Sequence, residues 1–414
     1  MKHILLSALL LLTACPEDSG EDTDPGTDPG TDPAAEYFAT CDALTVDLGD
    51  QTPTGDCVLS QSIRGGTQLA IRADCTDENI TGNLDKRHYV MVPDAVTRDA
   101  LWLHLGGTGG QPSNTENIGE AAMMAGYRYI SLAYTNNPSV AERCQCPDGP
   151  RVAECEGLVR YELLYGDDVT DLFVMEPDEA IVPRLVALLT ALHDRAPGVG
   201  WDAYLDADGE PVWGDIAVSG FSQGGGMAGL IARDHVVDRA MYLSKGAGAT
   251  LEAVIDPSTA QECTDDSECA SEMCCPATDI QCDEPGDSAI CLNLVPALYA
   301  SEGADLDGDG VGDGDASDRA TPGERQFAII HRDESAYQNG PGIFASWGMN
   351  SAEVDVDSVV APYAAAAQIF TTAAPARNDC SEHQSMGADA CQARDENGDP
   401  VVRPAWLHAM TAPL

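Results

Sequence analysis

Gly220-Phe221-Ser222-Gln223-Gly224 sets a serine between two glycines, directly after the apolar run Asp215-Ile216-Ala217-Val218-Ser219 and before a small-residue, helix-like segment from Gly225 to Arg233. A tight strand-to-helix turn at Ser222 lifts its hydroxyl clear of a sheet, and the small neighbours let strand and helix approach closely enough to hold that turn. A serine hydroxyl is a weak nucleophile until a base takes its proton and a carboxylate orients the base. The implied chemistry is attack on an acyl carbon, with the imidazole and the carboxylate still to be found. Downstream of Ser222 the histidines are His235, His331, His383 and His408.

In this strand, turn and helix context the pattern resembles the α/β-hydrolase superfamily of serine esterases, from about residue 85 to residue 412. That resemblance implies the chain order nucleophile, acid, histidine. It selects His383, in the loop Cys380-Ser381-Glu382-His383-Gln384-Ser385 after the last predicted strand, where the fold places its histidine. Cys380 and Cys391 bracket the loop, and a disulfide between them would limit the motion of the base. His408 reads as part of a C-terminal helix, His331 as part of a strand, and His235 lies close to the turn. The acid expected is Asp333, at the end of the strand Phe327 to Ile330, with Glu334 projecting differently. One oxyanion N–H is expected from Gln223 and the other from the glycine loop after Leu105, where matching Gly107-Thr108 to the family's Gly-X pair assigns the donor to Thr108. No Gly-Lys-Ser/Thr follows these glycines, which argues against a phosphate loop.

More narrowly, these segments resemble secreted bacterial hydrolases distantly akin to polyester depolymerases and feruloyl esterases. The chain departs from them at Gly106, where many relatives carry His, and in an insertion before the acid-bearing strand; both leave the substrate class open. The reading is an ester hydrolase with no organic cofactor. The alternatives are a peptidase on the same fold, although no substrate-sizing domain is present, and an inactive surface binding protein that has kept the fold.

The elements that must position these residues follow from pattern. Apolar, β-prone runs occur at 88–92, 101–105, 127–132, 215–219, 240–243, 326–330 and 368–372. Helix-like segments intervene, among them Glu179 to Arg195 with Ile181, Val182, Leu185, Leu188, Leu189 and Leu192 on one face. Strands alternating with helices imply an α/β fold, a mostly parallel sheet covered on both faces, whose sites lie beyond the carboxyl ends of the strands.

The N-terminus, with Lys2 and His3 before an apolar stretch from Ile4 to Leu12 and then Leu12-Thr13-Ala14-Cys15, resembles a bacterial lipoprotein signal. The resemblance implies cleavage after residue 14, lipidation of Cys15, and a cell-envelope protein that meets the membrane only through its lipid. Residues 15–37 repeat Thr-Asp-Pro-Gly and read as a disordered acidic tether. Residues 38–250 and 326–414 read as two parts of the hydrolase domain, separated by an insertion at 251–325. A net charge of −48 argues against nucleic acid and disfavours other polyanionic partners.

Fifteen cysteines in an exported chain point to disulfides. Setting Cys15 aside leaves odd groups at Cys41, Cys57, Cys75 and at Cys144, Cys146, Cys155, so full oxidation requires a bridge between groups, with the N-terminal region linked to the middle of the chain as the expectation. The insertion carries Cys263, Cys269, Cys274, Cys275, Cys282 and Cys291 and resembles a small disulfide-knotted module. It then runs through Asp305, Asp307, Asp309 and Asp313, spaced as in the first half of an EF-hand-type loop with Ala316 in place of the closing Glu. A structural Ca²⁺ is expected there.

Overall fold

The computed structural model describes residues 56–143, 155–167, 175–244, 319–334, 347–350, 352–363 and 367–413, positions 337 and 344, and the backbone of strands between 251 and 296. The strands are β1 (Val58–Ile63), β2 (Gly66–Arg72), β3 (Arg87–Pro93), β4 (Leu101–Leu105), β5 (Arg128–Leu132), β6 (Ile216–Phe221), β7 (Ala240–Leu243), β8 (Leu251–Val254), β9 (Glu262–Cys263), β10 (Met273–Pro276), β11 (Ala289–Pro296), β12 (Gln326–His331), β13 (Glu353–Asp355) and β14 (Gln368–Thr371). The helices are α1 (Glu116–Met124), α2 (Val140–Arg143), α3 (Cys155–Tyr165), α4 (Ile181–Arg195), α5 (Gln223–Asp234), α6 (Glu382–Gly387) and α7 (Arg403–Thr411).

Ten strands form one sheet in the order β1-β2-β3-β5-β4-β6-β7-β12-β14-β13. From β5 to β13 every pairing is parallel, while β1, β2 and β3 add an antiparallel edge. All seven predicted runs are strands in this sheet. The central strands are buried on both faces, so alternate residues feed two cores. Leu101, Leu103 and Leu105 of β4, with Ile216 and Val218 of β6, pack on the side of α3, α4 and α5. Trp102 and Ala217 face the opposite side, with α1 and α7. Burying a Leu or Ile side chain is worth about 1.5–3 kcal/mol, which makes this two-sided sheet the stabilising centre of the domain.

The order places β4 between β5 and β6. After β4 the chain leaves toward β5, and after β6 it leaves toward β7, so the connections diverge between β4 and β6. A crevice opens at such a switch point beyond the strand ends. The glycine loop follows β4 and Ser222 follows β6.

The predicted apolar face of α4 is buried, and so is Arg184, which periodicity alone would place outside a core. Its guanidinium pairs with Glu179, whose carboxylate also accepts Thr81 N–H at 2.6 Å and Gly82 N–H at 2.7 Å. A disulfide joins Cys57 and Cys75 across the β1–β2 hairpin. Cys41, Cys144, Cys146 and the side chain of Cys155 lie outside the described residues, as do Cys15 and the tether. Between 251 and 296, β8, β9 and β10 pair antiparallel with β11, setting Cys274 opposite Cys291 in backbone register. The side chains of that segment and the loop Asp305, Asp307, Asp309, Asp313 are likewise outside the described residues. Among the described residues no helix is long and apolar enough to cross a membrane.

Among the described residues two histidines, His88 and His104, are wholly buried. His88 Nδ1 accepts Ala133 N–H at 3.1 Å, and His104 Nδ1 meets Ser219 Oγ at 2.9 Å. Burial pushes both imidazoles down to about 3. Between pH 3 and 6.5 the folded chain therefore binds fewer protons at these sites than the unfolded chain, so their contribution is full above pH 6.5 and falls as pH drops. Urea unfolding is expected to lose roughly 2 kcal/mol per histidine between pH 7.5 and pH 5, and His104→Gln to remove about half of that slope. Burial pushes the Asp389 carboxyl up to about 7, which adds stability as pH falls over the same range, so the test is the difference between the two proteins: equal pH slopes in wild type and His104→Gln would contradict the buried, neutral assignment.

Candidate active site

Ser222 stands between β6 and α5 at φ 53° and ψ −115°. Positive φ on a residue other than glycine is strained, and the surroundings hold it. Ser222 N–H donates to Leu243 O of β7 at 2.9 Å, and Ser222 O accepts Gly226 N–H at 3.3 Å. The flanking glycines are sterically required: a Cβ on Gly220 would overlap the Gly224 carbonyl, and one on Gly224 would overlap the Leu105 carbonyl of β4. This is the strand, elbow and helix arrangement that presents a nucleophilic serine.

His383 lies on α6, near its start. Ser381 caps that helix, accepting Gln384 N–H at 3.2 Å while the Gln384 side chain accepts Ser381 N–H at 2.9 Å, a capping box. The Cys380–Cys391 disulfide closes the segment. Asp389, in the same loop, accepts Glu116 N–H at 2.7 Å and so docks the loop on the N-terminus of α1. His383 Nε2 is 2.8 Å from Ser222 Oγ, and the imidazole packs on Phe221 with ring centroids 4.9 Å apart.

The carboxylate beside His383 is Glu334, which corrects the expectation of Asp333. Glu334 Oε2 lies 2.7 Å from His383 Nδ1, and Oε1 accepts from Ser244 Oγ at 2.7 Å and His331 N–H at 3.0 Å. Asp333 is exposed, and its N–H donates to His331 Nδ1 at 3.1 Å. The reason is a turn: Glu334 N–H bonds back to His331 O at 3.3 Å, so the chain reverses after β12 and position 334 folds under the histidine while 333 sits at the corner. An extended strand end, which the sequence reading assumed, would have presented the neighbouring residue. An ionised carboxylate only accepts, so Nδ1 carries the imidazole proton and Nε2 is left to accept from the Ser222 hydroxyl. The histidine side chain is 41% exposed and that of Glu334 4%, which leaves the imidazole open to solvent and the carboxylate shielded.

The glycine loop lies against the elbow. A Cβ on Gly107 would come within 2.8 Å of the Phe221 ring. Thr108 Oγ1 donates to Gln223 Oε1 at 3.0 Å, tying together the two residues expected to supply oxyanion N–H groups. Gln223 Oε1 also accepts Val140 N–H at 3.1 Å, and Arg160 donates to Gln223 O at 3.1 Å. Sequence reasoning did not select Glu334, Ser244, Asn136 or Arg160. Only Glu334 carried a signal, its place beside the chosen Asp.

Among the described residues no cluster of three or more His, Cys, Asp and Glu is arranged to hold a metal ion. A cleft of about 930 Å³ opens near the start of β12, lined by Phe327, Tyr363, Leu407 and His408, and includes none of Ser222, His383 and Glu334. The chain beyond Ser244 and beyond Glu334, at 245–250 and 335–336, is outside the described residues.

No family model and no curated protein sequence matches the chain. Among solved structures it is similar to an S-formylglutathione hydrolase from Agrobacterium tumefaciens, at 14% identity over 46% of this chain and 62% of that one with a TM-score of 0.28. It is also similar to a hyperthermophilic esterase from the archaeon Pyrobaculum calidifontis, at 18% identity over 40% and 42% of the two chains with a TM-score of 0.23. TT1662 from Thermus thermophilus is matched at 10% identity over 76% and 88%, with a TM-score of 0.30. The chain thus spans less than two thirds of the first two of these proteins.

The assignment of the carboxylate has a direct spectroscopic test. The Nδ1 proton of His383, held 2.7 Å from Glu334, is expected to give a strongly downfield proton NMR resonance. Glu334→Gln should abolish or move it upfield, and Asp333→Asn should leave it in place. The reverse pattern would restore Asp333.

Proposed function

We propose that this chain is an exported, lipid-anchored serine hydrolase of the α/β-hydrolase fold that cleaves carboxylic esters. The observation that carries the reading is the continuous hydrogen-bond chain Ser222 Oγ, His383 Nε2, His383 Nδ1 and Glu334 Oε2, at 2.8 and 2.7 Å, mounted on a strained elbow. In this reading Ser222 Oγ attacks the ester carbonyl as His383 Nε2 takes its proton, and buried Glu334 stabilises the imidazolium. The N–H groups of Gln223 and Thr108 receive the oxyanion. The protonated histidine then gives its proton to the leaving alkoxide, and an acyl-enzyme remains on Ser222. A water molecule, deprotonated by the same nitrogen, attacks the acyl carbon, and collapse of that second intermediate returns the proton to Ser222.

Export rests on the lipobox-like Cys15 context, and the disulfides Cys57–Cys75 and Cys380–Cys391 favour an oxidising compartment. The Ca²⁺ reading of Asp305, Asp307, Asp309 and Asp313 stays a proposal on sequence spacing alone.

Intact-mass labelling of the oxidised protein with a fluorophosphonate tests the mechanism. One adduct is expected on the wild type and none on Ser222→Ala. His383→Ala should label at least about 10³-fold more slowly, Glu334→Gln should also be slowed, and Asp333→Asn should label at the wild-type rate. Absence of an adduct on correctly folded wild type would sink the activated-serine reading.

A further inference from the structure

The backbone that carries the Thr108 donor is intrinsically the loosest at the site, because four of the five residues Gly106 to Gly110 are glycine. The protein holds it from behind. Tyr134 Oη donates to Gly106 O at 2.6 Å, and Asn136 Nδ2 donates to both Gly107 O at 2.7 Å and Gly110 O at 3.0 Å. Asn136 O accepts Gly109 N–H at 3.0 Å, and Gly110 N–H turns back to Gly107 O at 3.0 Å. Behind Asn136 lies a charge: its Oδ1 accepts from Lys86 Nζ, and Asn136 and Lys86 are 2% and 5% exposed.

Gly107 C=O and Thr108 N–H belong to the same peptide group. A hydrogen bond to a peptide oxygen draws electron density from its nitrogen and strengthens its N–H as a donor, and such polarisation adds along a chain of amides. A cation on the Asn136 oxygen does the same to the Asn136 NH₂ group. The geometry therefore connects an ammonium to the expected oxyanion donor through two amide groups in series.

We propose that Lys86 and Asn136 are positioning residues for the oxyanion site, an amide relay in which Lys86 polarises Asn136, Asn136 polarises the 107–108 peptide, and Thr108 N–H presents the charge to the developing oxyanion. This rests on the ester-hydrolase reading and adds to it how the site is held and charged. Burial holds the Lys86 ammonium below the ordinary lysine value, and the ionisable groups acting on it are Asp85, which favours its charge, and Arg184, which opposes it. A purely structural lysine would need only an acceptor. Here the acceptor is the residue whose donors fix the loop.

A double-mutant cycle on the oxidised protein tests the relay, using an ester that the wild type turns over and a trifluoromethyl ketone that adds to Ser222 to form an oxyanion-bearing adduct. Lys86→Met is expected to lower kcat about 10-fold and Asn136→Ala about 100-fold, with KM within about 2-fold. Ketone affinity should fall by the same factors, because that adduct uses the oxyanion site. In the Asn136→Ala background Lys86→Met should cost less than about 2-fold further, since the link is already cut. Should Asn136→Ala leave the buried ammonium too poorly paired to fold, the double variant, which removes both groups, is compared with Lys86→Met alone. An unchanged kcat in Lys86→Met, a loss confined to KM with ketone affinity intact, or additive losses would overturn the relay. If the folded wild type neither labels with fluorophosphonate nor turns over esters, the ester-hydrolase reading itself fails and takes the relay with it.

Discussion

Ser222 is held in a backbone conformation that costs an ordinary residue about 1–3 kcal/mol, and the architecture around it follows from the need to hold it there. The turn closes only because β6 lies between β4 and β7. Leu243 of β7 accepts the serine N–H, and the Leu105 carbonyl of β4 leaves no room for a side chain at position 224. The same adjacency brings the glycine loop after β4 against Phe221 and Gln223. Ser222 and the expected oxyanion donors thus share one origin, the order β4-β6-β7 at the centre of the sheet.

His383 and Glu334 come from farther along the sheet and are fixed by other means. Glu334 follows β12, the next strand after β7, and the end of β7 supplies Ser244, itself at a positive φ of 47°, to hold Glu334 Oε1. His383 comes from a short helix beyond β14 that reaches the sheet through Met386 in the core and through Gly387 and the imidazole against Phe221 of β6. A disulfide, a capping box and the Asp389 contact with α1 brace it further. In the role proposed for His383 such bracing matters, because displacements of about 1 Å can cost 100-fold in rate.

What was legible in the sequence is what depends on local pattern. The glycine-serine-glycine turn, the seven apolar strands and the face of α4 are encoded within short windows, and each is where the pattern puts it. The choice of His383 drew on the order implied by a family resemblance, and the structure sets it beside Ser222. The carboxylate was misassigned by one residue because a turn after β12 decides which side chain faces inward, and apolar alternation stops before it. The β1–β2 hairpin was missed because its outer strand is half-exposed and reads as mixed, Val58-Leu59-Ser60-Gln61-Ser62-Ile63. Two turns, each closed by a single antiparallel bridge, also lie outside the apolar pattern: Asp206-Ala207-Asp208-Gly209-Glu210-Pro211 and Asp395-Glu396-Asn397-Gly398-Asp399-Pro400. In both, the first Asp Oδ1 accepts two N–H groups at 2.9–3.0 Å and the glycine turns at positive φ. Lys86 and Asn136 had no signal at all, since their partnership spans fifty residues and is made only by the sheet.

The distribution of charge bears on what such a site can process. Acids outnumber lysine and arginine 69 to 21, yet among the described residues Lys86, Arg160, Arg184, Arg233, Arg239 and Arg319 are buried against only Glu162, Glu179 and Glu334. Several of these cations hold backbone carbonyls: Arg160 that of Gln223, Arg184 those of Gly82 and Glu179, Arg239 that of Ala409 and Arg319 that of Gly229. A planar fork of donors can satisfy carbonyls that the local secondary structure leaves over. The outcome is a negative exterior around an interior with a positive excess. The exterior field opposes negative charge growing on a substrate, but it is screened beyond about 8 Å at physiological ionic strength. Closer in, the oxyanion position proposed here would feel the N-terminus of α5 and the Lys86 charge passed through Asn136. A substrate already carrying negative charge would be repelled on approach. An ester that arrives neutral and becomes anionic only in the transition state escapes the first effect and benefits from the second, which is the differential stabilisation that catalysis requires.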